Sequence, residues 1–95
     1  PGGAFGDGSL TVAEVVATSP DGGFAVTGFV VIDGDASMLC EHLLESYPPQ
    51  CGGASLIITN PDAITDELTT DGGVTWSDSE VKLIGSVSAG SFTIE

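Results

Sequence analysis

His42 is the only histidine in a chain of 95 residues. A Ser–His–Asp arrangement would have to use it as the general base. Ser46 stands four residues on, and fourteen Asp and Glu residues offer an orienting carboxylate. No Gly-x-Ser-x-Gly nucleophile elbow accompanies them. The residue is therefore expected on a partly exposed loop. No catalytic residue is assigned, and a small hydrolase using His42 ranks behind the non-enzymatic readings. Asp33-Gly34-Asp35 has the opening of a calcium loop. Such a loop needs oxygen ligands at alternate positions and a Glu at the twelfth, but the fifth position from Asp33 is Ser37 and the twelfth is Leu44. The segment reads first as an Asp-Gly turn, which leaves Asp33 and Asp35 as weak calcium candidates only. Asp62, Asp66 and Glu67 read as helix N-terminal and surface acids. Zinc sites need clustered Cys and His, which this composition does not supply. Carboxylate pairs for glycoside hydrolysis occur by chance in so acidic a chain and carry no information. No metal or other cofactor is expected.

Cys40 and Cys51 lie eleven positions apart. An even cysteine count in a small exported domain indicates pairing. The competing reading is two buried thiols in a cytosolic protein. Between the cysteines run Ser46-Tyr47-Pro48-Pro49-Gln50, stiffened by the two prolines, and Gly52-Gly53 follow with freedom for a sharp turn. Closing such a loop stabilises a fold by about 3 kcal/mol in the chain-entropy account. Tyr47, Pro48, Pro49 and Gln50 are where a protein or peptide partner is to be sought first, and Trp76 is a second anchor candidate. Trp76 is expected in the core before it is expected in an interface.

Charge excludes more than it suggests. Fourteen acids face one base, Lys82, for a net charge of −13. Nucleic-acid binding needs cations that displace counterions from phosphate, and anionic membrane surfaces make the same demand. Neither partner suits this chain. No stretch is long and apolar enough for a membrane span. The sequence opens on Pro-Gly-Gly without an initiator Met, which is expected of a processed or a trimmed chain. Residues 1–8 read as a flexible tether of the kind that follows a cleaved signal or a lipid-anchored cysteine. The expectation is a monomeric domain over residues 9–95, secreted or anchored at the cell envelope. A second functional reading is an acidic inhibitor, or nucleic-acid mimic, directed at a basic partner.

The elements needed to position these residues are mostly strands. β-branched residues and glycines are plentiful, which favours short strands and tight turns. Strands are expected at Ser9–Thr18, Phe24–Ile32, Ser55–Thr59, around Val74 and Trp76, at Glu80–Val87 and at Ser91–Ile94. Ala89-Gly90 reads as a hairpin turn. Cys40, Leu43, Leu44 and Tyr47 follow helical spacing, so Ser37–Tyr47 is expected to hold a helical turn or two. Asn60-Pro61-Asp62 reads as a helix start, with a short helix running to about Leu68. Gly28 and Gly85 fall inside strands, where a sheet bends to close. A mainly β fold follows: a small five-stranded OB-like barrel, closed or partly open, with a short helix between strands three and four. The runs LTVAEVVAT, VTGFVVIDG, LCEHLLESYPPQCGGASL and VTWSDSEVKLIGSV resemble an OB-like domain of uncharacterised small exported or lipid-anchored bacterial proteins. The resemblance spans roughly residues 9–95. It implies fold and location only and transfers no catalytic residue; binding at the curved face of strands two and three is what the OB fold in general implies.

Overall fold

In the computed structural model, residues 9–45 and 49–95 are described; the tether at 1–8, together with Tyr47 and Pro48, lies outside them. The organising strand is β2, Phe24–Asp33. Its run of Val, Ile, Phe and Thr suits an extended backbone. Val26 and Val30 face the interior, and Val31 faces the other way yet is also buried. Around it are β1 (Leu10–Thr11), α1 (Val12–Thr18), β3 (Ala36–Leu44), β4 (Gln50–Ile58), β5 (Thr69–Asp71), β6 (Val74–Trp76), β7 (Val81–Ser88) and β8 (Ser91–Ile94).

Pairing closes five of these strands into a ring: β2 to β3, β3 to β4, β4 to β8, β8 to β7, and β7 back to β2. All of these ladders are antiparallel except β4 with β8. That seam consists of Ile57 opposite Ser91 and Ile58 opposite Phe92. It is extended by Thr59, whose N–H donates to the Phe92 carbonyl at 2.9 Å. β1 adds in parallel to β2, and the β5–β6 hairpin attaches to β2 through Val31–Asp33. The interior holds Val26, Val30, Leu39, Leu56, Ile58, Leu83 and Phe92, together with Val12 and Val15 of α1.

Three local expectations are corrected. Ser9–Thr18 is not a strand: only Leu10–Thr11 is extended, and Val12–Thr18 is helical. A capping box decides this. The Thr11 hydroxyl accepts from the Glu14 N–H at 3.1 Å, and the Thr11 N–H donates to the Glu14 carboxylate at 2.9 Å. Ala13 N–H, also without an intrahelical partner, donates to Glu41 Oε1 at 2.8 Å. Ser19, left-handed at φ 43°, ends the helix.

Ser37–Tyr47 holds no helix in its described part; Ala36–Leu44 is strand β3. Its pairing with β4 shifts register between Cys40 and His42. That bulge lets Cys40 and Leu43, an odd number of residues apart, pack into one cluster. The irregularity accounts for the Cys40–Leu43 part of the apparent helical spacing.

Between β4 and β5 there is one 3-10 turn, Pro61–Ala63, rather than a helix to Leu68. The Asn60 side chain does not cap it. Instead its amide donates to the Ile94 carbonyl at 2.7 Å and accepts from the Ile94 N–H at 2.8 Å. An Asn spent on the β8 backbone leaves the helix without its start.

Gly28 and Gly85 mark close approaches. A Cβ at Gly28 would sit 2.7 Å from the Cys40 carbonyl oxygen and 2.8 Å from Val12 Cγ2. At Gly85 it would meet the Thr93 carbonyl oxygen and the Phe92 ring. Hairpin turns fall at Gly72-Gly73 and Ala89-Gly90, with every one of these residues at positive φ, as type I′ turns require.

Candidate functional site

The ring carries a second apolar cluster on its outer face. Val31, Cys40 and Trp76 are buried there, and Met38, Leu43, Cys51 and Val74 pack against them. Register explains the grouping. Directly paired residues of adjacent strands project to one face, and Trp76 pairs with Val31, Val31 with Met38, and Met38 with Ile57. The row starts at Trp76, 4% exposed, and ends at Ile57, 52% exposed.

Two fasteners hold this face. Cys40 and Cys51 form the expected disulfide, with Cα atoms 5.4 Å apart. It joins β3 to β4 beside the bulge, so it staples two paired strands as well as closing the intervening loop. The second fastener is Asp78. One carboxylate oxygen accepts from Trp76 Nε1 at 2.8 Å and the other from the Thr69 hydroxyl at 2.7 Å. Because Thr69 pairs with Trp76, Asp78 ties the β5–β6 hairpin to itself over the indole edge.

Beside the cluster lies a cleft of about 500 Å³. Val31, Met38, Cys51 and Val74 give it apolar surface, Pro49 and Gln50 border it at the start of β4, Gly72 borders it from the hairpin turn, and Asp33 adds a carboxylate. Its size falls within the range of ligand pockets. Its lining offers apolar contact, one amide, and one acid from a β2 strand end.

Of the residues singled out in the sequence, Pro49, Gln50 and Asp33 meet at this cleft. Asp35 is exposed in the adjoining turn. Among the described residues no group of three His, Cys, Asp or Glu side chains is arranged to hold a metal ion. Trp76 is buried in the cluster and does not line the cleft. His42 is exposed on β3, opposite Gly52. A Cβ at Gly52 would lie 2.7 Å from its ring, and one at Gly53 2.8 Å away. The imidazole thus covers glycine backbone, an arrangement known to protect such strands.

Met38, Cys51, Gly72 and Val74 were not foreseen as lining residues. Two signals pointed to them. Phe29–Ile32 is apolar on both faces, so something must cover the outside of β2. Asp71-Gly72-Gly73-Val74 carries hairpin turn chemistry, and that hairpin supplies part of the cover. No family model matches the chain, and neither curated proteins nor solved structures yield a match.

Proposed function

We propose that this protein is a non-catalytic, extracytoplasmic interaction module built on an OB-like barrel, and that it takes its ligand in the cleft between β4 and the β5–β6 hairpin. The observation that carries the reading is the cleft itself. It is bordered by apolar side chains outside the main core, beside a face fixed by a covalent bond and a buried indole. Apolar side chains gathered at a surface hollow outside the main core mark a candidate interaction site. The ring order supports an OB-like description, and the cleft, lined from the first three ring strands and the β5–β6 hairpin, takes in part of the strand two and three face where OB barrels bind their ligands. The helix packed into the ring comes from before its first strand, which departs from the expected order. A disulfide in a small domain supports an oxidising compartment. His42, laid over Gly52 and Gly53, serves the strand rather than a reaction.

A thermal-shift screen of peptides and small ligands tests the reading, because a binder raises the melting temperature by mass action. The expected hit stabilises the wild type and loses its effect in Met38→Gln. Hits indifferent to Met38→Gln and Val74→Thr would place binding elsewhere and sink the cleft as the site.

A further inference from the structure

We infer that the occupant of the cleft is an extended polypeptide segment that places apolar side chains next to lysine or arginine. The inference rests on the proposed reading of the cleft as the ligand site. Shape argues for an extended occupant. Met38 lines the cleft and pairs with Ile57, which is half exposed on the outside of β4, and Ile57 in turn pairs with the small Ser91 of β8. The apolar track therefore leaves the cleft and runs across β3 and β4. A compact ligand filling the hollow would leave Ile57 bare, whereas a strand-like segment covers both, its alternate side chains meeting the track.

Charge argues for a basic segment. Asp33 stands in the cleft wall, with Asp35 exposed in the same turn. The chain as a whole carries −13, and its single base, Lys82, lines a different hollow with Ile84 and Glu95. A potential of one sign steers cations in and repels anions. An acidic or phosphorylated segment finds no counter-charge at the cleft, and a neutral one gains nothing from the field. The segment that uses both the apolar surface and the field alternates apolar and basic residues.

Three blocked hexapeptides test this by calorimetry and amide chemical-shift mapping: alternating valine–lysine, valine–glutamine and valine–glutamate. The valine–lysine peptide should bind at least about tenfold more tightly than valine–glutamate at low salt, with the gap narrowing near 0.15 M salt. Its shifts should centre on Val31, Met38 and Val74. Asp33→Asn should weaken it roughly two- to fivefold and leave valine–glutamine unaffected. Asp62→Asn removes the same charge from the distant 3-10 turn and should change little. Equal binding of all three peptides at these amides overturns the basic preference and leaves the cleft standing. Tight valine–lysine binding with shifts spread over other surfaces overturns both. Absence of binding by all three overturns the peptide inference, while the cleft keeps its own test in the ligand screen.

Discussion

The two apolar clusters are built on opposite principles. The inner one is sealed by strands and α1, and Val26, Val30, Leu39 and Phe92 have no exposure at all. It needs no special bond, because close packing in a dry interior is sufficient. The outer one borders solvent. It keeps its shape through a disulfide and through Asp78 gripping an indole and a hydroxyl. A cluster that is open on one side has less burial to hold it, and this one is pinned as well. The inner cluster determines whether the chain folds, and the outer one whether the cleft has a fixed shape.

Substitutions should separate these roles. The largest effect belongs to Phe92→Ala, which empties a fully buried site where the ring also meets Phe24 edge to face at 6.0 Å between centroids. It should cost about 3–5 kcal/mol in chemical denaturation and lower protection throughout the ring. Replacing both cysteines by Ser should cost about 2–3 kcal/mol. The loss should be local, with exchange protection retained at Val26 and Val30 and reduced at Met38 and Leu43. Uniform loss across both clusters would show that they are one unit. Smaller again is Asp78→Ala, at about 1–2 kcal/mol from an indole N–H and a hydroxyl left without their acceptor. Tryptophan emission should shift to the red while the inner ring stays intact. An unchanged spectrum would show that the indole is held by packing alone.

Much of this was legible in the sequence, and the failures share a cause. β2, β7, β8 and their turns follow from β-branched runs broken by Gly, and the disulfide from two cysteines in an acidic, loop-rich chain. Val12–Thr18 is rich in β-branched residues, which favours a strand reading, but Thr11 and Glu14, three residues apart, are a capping pair that starts a helix. β3 hides its strand period because a bulge between Cys40 and His42 breaks the alternation, and no local rule announces a bulge. Asn60 has helix-start chemistry, yet its amide is taken by Ile94, 34 residues away in sequence; local propensity has no knowledge of such a competitor. The cleft was half visible: Pro49 and Gln50 came from the loop, whereas Met38 and Val74 reach it only through the pairing of four strands.

The seam that closes the ring has a consequence in time rather than in space. β4 and β8 share two residue pairs, reinforced by Thr59 and by the Asn60 amide on Ile94. Every other ring ladder is longer. The chain between the two sides of this seam runs through the 3-10 turn, the β5–β6 hairpin and β7. Joining ends so far apart costs loop entropy before it returns any contact. The hairpin ladders join residues close in sequence, whereas β4–β8 joins residues 34 apart and β2–β7 residues up to 61 apart. With only two pairs, the seam is expected to exchange its amide protons before the longer ring ladders, with the Asn60 side chain acting as its latch.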